Sequence, residues 1–78
     1  MDSIEQYVID YITKLRITNN LTQKDLANIL GVSTSFIGNV ENIASPAKYN
    51  LKHIRLIAES LEISIQLFFP AQIEKSLD

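Results

Sequence analysis

The stretch from Leu21 to Glu41, LTQKDLANILGVSTSFIGNVE, places the strongest constraint on the fold. Its apolar residues recur every three or four positions on both sides of a Gly-Val-Ser break, which is the spacing of amphipathic helices and not of a strand. Gly31 opens that break, and glycine commonly ends a helix by adopting a left-handed backbone conformation. The pattern therefore predicts two short helices that meet at a tight turn.

Four polar residues precede apolar segments and predict where helices begin. Thr22, with Asp25 three positions later, forms a carboxylate variant of the capping box, which satisfies two otherwise unpaired backbone donors. Ser33, Asn50 and Ser64 stand before three further apolar segments, and their side chains can accept a hydrogen bond from a first helical turn. We therefore expect one helix after each of these four residues.

The rest of the chain continues the helical period. Regular apolar spacing near the N-terminus predicts a first helix over about residues 3–17, whereas residues 42–49 have no period and predict a loop. The inward face of the fourth helix is predicted to contain Leu51, Ile54, Ile57, Ala58 and Leu61. We expect an all-α fold of five short helices around one core, formed by residues 1–70 and followed by a tail at 71–78.

Composition excludes several classes of protein. Cysteine is absent and there is one histidine, so disulfides are excluded and a structural zinc site is not expected. The apolar runs are too short to cross a bilayer, and the first residues lack the continuous apolar segment of a signal peptide. Seventy-eight residues suffice for one domain. We expect a single cytoplasmic domain with no cofactor, no metal and no membrane contact.

The net charge of −2 argues at first against a nucleic-acid partner. The charges are unevenly distributed, however, because residues 1–13 sum to −3, residues 14–55 to +4 and residues 56–78 to −3. Small counts of this kind can arise by chance, and the alternative is a positive face on an otherwise acidic body. The distribution therefore leaves a nucleic-acid partner open.

A helix-turn-helix unit makes steric demands that this chain meets. Ala27 is small where the second helix would cross closely, Gly31 permits the turn, and Ile37 and Val40 are apolar where they would hold the second helix against the first. In these positions and their neighbours the chain resembles the phage-repressor or Cro-type helix-turn-helix proteins, the XRE family, from about Ile12 to Phe69. The other matching residues are Leu15, Arg16, Leu21, Thr22, Gln23, Leu26, Leu30, Val32, Ser33, Glu41, Leu51, Ile54, Ile57, Ala58, Leu61, Ile63, Ser64, Leu67 and Phe68.

The resemblance implies a compact, lambda-repressor-like domain of five helices that binds operator sequences in double-stranded DNA, usually as a homodimer on paired half-sites. In that family the second helix of the motif, here residues 33–41, enters the major groove. The resemblance assigns base contacts to Ser33, Thr34, Ser35 and Asn39. Such side chains are small, neutral and able to hydrogen-bond with base edges, and Asn can form two bonds with adenine.

The resemblance also implies contacts with the DNA backbone and one structural ion pair. The candidates for backbone contacts are Thr22, Gln23, Asn42, Lys48, Tyr49 and Lys52. At the start of a helix, as at Gln23, unpaired N–H groups and the helix dipole favour a phosphate. The family usually pairs the positions of Arg16 and Glu41, and we expect that pair to be partly buried and to tie the first helix to the end of the third.

Several positions leave alternatives open. The outer side chains of residues 33–39 also suit a plain solvated surface, although Gly38 costs about 1 kcal/mol relative to alanine and would permit close approach to a neighbour. Phe36 suits core packing or contact with a thymine methyl group. Ile43 departs from the family pattern and is either buried or directed at DNA from a longer loop. The residues that either pack inward or form a dimer seam are Ile65, Phe68, Phe69 and Ile73.

Enzymatic functions have little support, because His53 is the lone histidine, cysteine is absent and there is no glycine-rich phosphate loop. We expect a surface or capping role for this histidine. Three functions remain, of which a structural dimerisation domain has the least support. The first is a sequence-specific, repressor-like regulator that binds DNA. The second is an antitoxin-like module that binds a protein partner, such as a toxin or another regulator, with weak or no DNA binding; the acidic residues 1–13 and the apolar residues 67–69 favour it.

Overall fold

A computed structural model of the chain describes residues 3–71, and every regular element within that range is helical. The elements, in chain order, are α1 (Ser3–Thr18), α2 (Gln23–Leu30), α3 (Thr34–Glu41), α4 (Leu51–Leu61) and a 3-10 turn (Ile65–Phe68). The helix-turn-helix unit consists of α2, α3 and the residues between them. The all-α prediction is thus confirmed, and the loop predicted at 42–49 is irregular as expected.

The predicted count of five helices is not confirmed, because the described residues contain four α-helices and one 3-10 turn. The Ser64 side chain caps the last element as predicted, by accepting a hydrogen bond from the backbone N–H of Gln66. Phe69 precedes Pro70 and is extended, with φ −116° and ψ 150°. The residue before a proline is disfavoured in the α region, so only four residues remain for the element, and they form the tighter turn.

The start and the end of α2 follow from local sequence chemistry. Thr22 Oγ1 accepts a hydrogen bond from Asp25 N at 3.0 Å, and Asp25 Oδ2 accepts one from Thr22 N at 2.8 Å. The predicted capping box is therefore confirmed, and the hydrogen bonds from Thr22 lower the pKa of Asp25. Gly31 ends the helix with φ +69°, the left-handed conformation predicted for it, and its N–H donates to Ala27 O.

The caps of α3 and α4 are also those predicted. Ser33 Oγ accepts a hydrogen bond from Phe36 N at 3.0 Å, and Asn50 Oδ1 accepts one from His53 N at 2.8 Å. At the start of α4 the reciprocal bond is present too, because Asn50 N donates to His53 Nδ1 at 3.1 Å. A histidine thus occupies the position that glutamate or glutamine usually holds in a capping box.

The core lies between the helices and is entirely apolar apart from one phenol. Its buried members are Val8, Ile9, Ile12, Leu26, Ala27, Leu30, Ile37, Val40, Tyr49, Ile54, Ile57, Ala58 and Phe68. Ile37 and Val40 are buried and hold α3 against its neighbours, as the motif required. Phe68 packs inward against Tyr11, with ring centroids 5.0 Å apart, whereas Ile65 is exposed and Phe69 is half-buried.

Leu51 departs from the predicted inward face of α4. Its side chain is 73% exposed, whereas Ile54, Ile57 and Ala58 are buried and Leu61 is half-buried. Leu51 is the first residue of the helix, and it lines an open groove instead of the packed core. The apolar period therefore identifies the correct face of α4, but the pattern begins one turn before the first buried residue, Ile54.

Apart from Ala71, the tail predicted at 71–78 lies outside the described residues. Ile73, one of the residues predicted either to pack inward or to form a dimer seam, is among those outside. Over residues 3–71 no helix has the length and apolar character needed to span a bilayer. That same part of the chain contains no cluster of three or more His, Cys, Asp or Glu side chains able to hold a metal ion.

Candidate nucleic-acid interface

Helix α3 has a buried inner face and an exposed outer face. Ile37 and Val40 form the inner face, whereas Thr34, Ser35 and Asn39 are exposed on the outer one. Among the described residues, no hydrogen bond engages the side chains of these three outer residues. The outer face therefore presents small, neutral groups that can both donate and accept hydrogen bonds.

Ser33 is exposed beside this face, but its side chain already has a structural role. Its Oγ accepts the hydrogen bond from Phe36 N at 3.0 Å that caps α3. A hydroxyl has one hydrogen to donate in addition to its acceptor sites. Ser33 can thus cap the helix and donate outward at the same time.

Gly38 lies on α3 between the two faces. A Cβ atom built at this position would meet Gln23 Oε1 at 3.6 Å, an ordinary van der Waals distance, and no other non-local atom within 4 Å. Its φ is not in the left-handed region. Packing within the described chain therefore does not require glycine here, although glycine is the least favourable helix residue after proline.

Arg16 and Glu41 form a two-pronged ion pair between α1 and the end of α3. Arg16 Nε donates to Glu41 Oε2 at 2.8 Å and Arg16 Nη2 to Glu41 Oε1 at 2.9 Å, with the two side chains 15% and 11% exposed. Arg16 Nη1 also donates to Leu21 O at 2.9 Å. The hydrogen bond from Arg16 to Glu41 raises the pKa of Arg16. These bonds fix the end of α3 relative to the start of the helix-turn-helix unit.

Gln23, the first residue of α2, belongs to the same network. Its Nε2 donates to Glu41 Oε1 at 3.0 Å, and the side chain is half-buried. The amide nitrogen carries two hydrogens, so one remains for a phosphate after this bond is made. Thr22 is exposed next to it, and its hydroxyl serves as the cap of α2.

The four backbone candidates that follow α3 have different surroundings. Asn42 is exposed, and its Oδ1 accepts from Ala44 N at 3.0 Å, which shapes the turn after α3. Lys52 is exposed on the first turn of α4, whereas Lys48 is exposed but bonded to Glu5 of α1 at 2.8 Å. Asn42 and Lys52 are therefore exposed at the surface, whereas Lys48 is exposed but forms an ion pair with another residue of the chain.

Tyr49 differs from the expectation of a phosphate contact. The residue is 8% exposed, and its hydroxyl is fully enclosed with no hydrogen-bond partner among the described residues. Burial, together with the negative charge of Glu41, raises the pKa of Tyr49 above its ordinary value. The side chain is part of the core and packs against Phe36 and His53, and its enclosed hydroxyl cannot reach a phosphate from there.

An aromatic cluster beneath α3 was not predicted from the sequence. The ring of Phe36 lies 5.4 Å from that of His53 and 6.2 Å from that of Tyr49, and the last two are 6.0 Å apart. Phe36 packs against the core, whereas Ile43, the other residue left open above, is 85% exposed. The spacing of Tyr49 and His53, four residues apart across a helix start, is the signal that could have indicated the cluster.

Comparison with curated proteins gives no significant match, and neither does comparison with solved structures. A helix-turn-helix family model matches residues 12–68, which is well over half of the 78-residue chain. The matched range contains α2, the turn at Gly31 and α3, together with the ion pair that fixes them. The chain therefore belongs to the XRE family of DNA-binding helix-turn-helix proteins.

Proposed function

We propose that the protein is a sequence-specific, repressor-like regulator of transcription that inserts α3 into the major groove of double-stranded DNA. The observation that carries the proposal is the outer face of α3. Thr34, Ser35 and Asn39 are exposed there without internal hydrogen bonds, next to a glycine at position 38 that internal packing does not require. Contact with water alone does not explain a helix face that combines small, neutral, hydrogen-bonding side chains with a glycine.

Base recognition follows from the chemistry of these side chains. Asn39 can accept and donate toward the Hoogsteen edge of an adenine, and a good pair of such bonds discriminates by about 1–3 kcal/mol against other bases. Thr34 adds a methyl group that can meet a thymine methyl, while Ser33 and Ser35 can bond with several bases. We infer that Asn39 contributes most of the discrimination.

Contacts with the DNA backbone would flank α3 on both sides. Gln23 at the start of α2 would offer its backbone N–H and one amide hydrogen to a phosphate. Thr22 would offer its hydroxyl hydrogen, because its backbone N–H is bonded to Asp25. Asn42 and Lys52 would do so from the other side, and Lys48 could join them by exchanging Glu5 for a phosphate. These contacts would orient the protein without selecting a sequence.

We propose that two copies bind together, because a two-fold homodimer presents one α3 to each of two half-sites about 34–36 Å apart. Ile65 and Leu67 are exposed apolar residues near the end of the domain and offer a surface for this contact. In this proposal residues 1–70 form the DNA-binding domain and residues 71–78 a tail.

The experiment is selection of bound sequences from a random pool of DNA duplexes, followed by affinity measurements at several salt concentrations. We expect a two-fold sequence motif, and affinity that falls steeply with salt because phosphate contacts release counterions. Asn39→Ala should relax the preference at one position of each half-site. Asn28→Ala, the same change at an exposed position of α2, is the matched control and should leave the motif unchanged.

Two outcomes would contradict the proposal. The first is that no duplex is bound at low salt. The second is that Asn39→Ala weakens binding to all sequences equally, which would mean that Asn39 does not contact a base edge.

A second function, an antitoxin-like module with a protein partner, is favoured by a different observation. Ile43 and Leu51 are highly exposed on the side of the domain that contains the Lys48–Glu5 ion pair. Large exposed apolar side chains close together suit a protein partner better than a phosphate backbone. A tight protein complex isolated from cells, combined with no DNA binding at low salt, would support this function over the first.

A further inference from the structure

His53 occupies a place in which only an uncharged imidazole can make the hydrogen bond observed. Its Nδ1 accepts a hydrogen bond from Asn50 N at 3.1 Å, while its own backbone N–H donates to Asn50 Oδ1 at 2.8 Å. An imidazolium carries hydrogens on both ring nitrogens and cannot accept a hydrogen bond. Protonation would therefore remove one of the two bonds that begin α4.

The surroundings of the ring also disfavour a positive charge. The ring is half-buried between Phe36 of α3 and Tyr49 of the preceding loop. It lies in the first turn of an eleven-residue helix, where the helix dipole repels cations. Phe36 offers a protonated ring some cation–π attraction. Three effects oppose protonation: the hydrogen bond from Asn50 is lost, the helix dipole repels the charge, and burial disfavours it.

The titratable and charged groups around the ring do not offset these effects. On α4, the charge of Lys52 acts on His53 and repels a second cation. From the loop, Tyr49 faces the ring and remains a neutral phenol, and from α3 the neighbour is the uncharged Phe36. Among the described residues no carboxylate is paired with His53 to stabilise an imidazolium.

We propose that Asn50 and His53 form an acid-sensitive latch, which closes the start of α4 when His53 is neutral and opens when it is protonated. Opening the latch also affects α3, because the His53 ring that is released packs against Phe36 of α3. Opening it weakens the support of α3 and of residues 42–50 at the same time. This inference is independent of the proposed function, since it concerns folding and not DNA.

The direction of the pH effect follows from linkage. Burial, and secondly the charge of Lys52, lowers the pKa of His53 in the folded chain relative to its ordinary value near 6.5. The unfolded chain therefore takes up the proton first as the pH falls. The stability that His53 contributes is fully present above about pH 6.5 and is lost as the pH falls from there through the folded pKa.

The test compares the thermal unfolding of the wild type and of His53→Gln between pH 7.5 and pH 5.0. Glutamine keeps a side-chain acceptor at the third position of the capping box, does not titrate, and leaves every other ionisable group in place. We expect the midpoint temperature Tm of the wild type to fall by about 2–6 °C more than that of the variant over this range. Equal losses in the two proteins would overturn the proposal.

A second measurement does not depend on the variant. His53 is the lone histidine in the chain, so the proton on its Cε1 gives a single NMR signal that can be followed against pH in the folded wild type. We expect a titration midpoint below 6.5, with the amide proton of Asn50 shifting at the same midpoint. A midpoint at or above 6.5, or an Asn50 amide that does not respond, would also overturn the proposal.

Discussion

Replacing each of the two glycines by alanine should change stability in opposite directions. Gly38 lies inside α3, where alanine is favoured over glycine by about 1 kcal/mol because it restricts the unfolded chain and suits the helix. The added Cβ would lie 3.6 Å from Gln23 Oε1, which is ordinary contact and calls for no rearrangement. We therefore expect Gly38→Ala to raise the free energy of unfolding by about 0.5–1 kcal/mol.

Gly31→Ala is the matched control, with the same added atom and the same residue types. No atom lies within 4 Å of a Cβ at this position, so steric conflict with other residues is absent. The backbone has φ +69°, however, and an L-residue with a side chain pays about 1–2 kcal/mol in that conformation. We expect Gly31→Ala to lower the free energy of unfolding by that amount.

The assay is urea unfolding of the three proteins followed by circular dichroism, with thermal melts as a check. In a domain of this size 1 kcal/mol shifts Tm by about 4–8 °C, so the two variants should melt clearly above and below the wild type. The dependence of the free energy on urea should stay the same, because neither change alters the surface exposed on unfolding.

A loss of stability in Gly38→Ala would refute the reasoning, because it would mean that the space beside α3 is smaller than the 3.6 Å contact indicates. Making Gly38→Ala in a Gln23→Ala background then locates the conflict, since the glycine replacement should stabilise that background if Gln23 Oε1 is in the way. DNA affinity measured on the same samples is a separate readout. A more stable protein that binds more weakly would indicate that the duplex approaches α3 at Gly38.

Three further changes test other parts of the structure. Glu41→Ala leaves Arg16 without its partly buried partner and should cost about 3 kcal/mol, with weaker DNA binding as a consequence; a melting curve like that of the wild type would contradict this. Tyr49→Phe removes an enclosed hydroxyl that has no partner among the described residues, so urea unfolding should show unchanged or up to about 1 kcal/mol higher stability. Glu62→Gly relieves a left-handed residue at the end of α4, φ 55°, and should add about 0.5–1 kcal/mol in the same assay.

The features predicted correctly from the sequence are those set by a few neighbouring residues. The capping box of Thr22 and Asp25, the caps at Ser33 and Asn50, and the left-handed Gly31 each depend on hydrogen bonds or backbone angles within one turn. Such features involve only residues that are close together in the sequence. They were therefore enough to locate α2, α3 and the turn between them.

The features that the sequence did not reveal depend on how distant segments meet. Tyr49 is buried, and Lys48 pairs with Glu5, only because residues 42–50 fold back toward α1, and no local pattern indicates that path. Leu51 follows the apolar period, but the buried face of α4 begins only one turn later in the chain, at Ile54. The histidine in the second capping box was expected to be a cap or a surface residue, and its ring acceptor became apparent only from the geometry.

Two of the groups proposed to contact phosphates, Gln23 and Lys48, already have partners in the free protein, but the two bonds differ in strength. The Lys48–Glu5 pair is exposed, and exposed pairs contribute about 0–1 kcal/mol, so a phosphate can replace Glu5 at little cost. The bond from Gln23 ends on the charged carboxylate of Glu41 in the partly buried network with Arg16, and hydrogen bonds to charged groups contribute about 1.5–3 kcal/mol. In the proposed complex Lys48 would thus be an adjustable contact, whereas Gln23 already fixes the start of α2 against α3 in the free protein. A chain with a net charge of −2 could bind DNA in this way, because the proposed phosphate contacts are either positioned in advance or released at little cost.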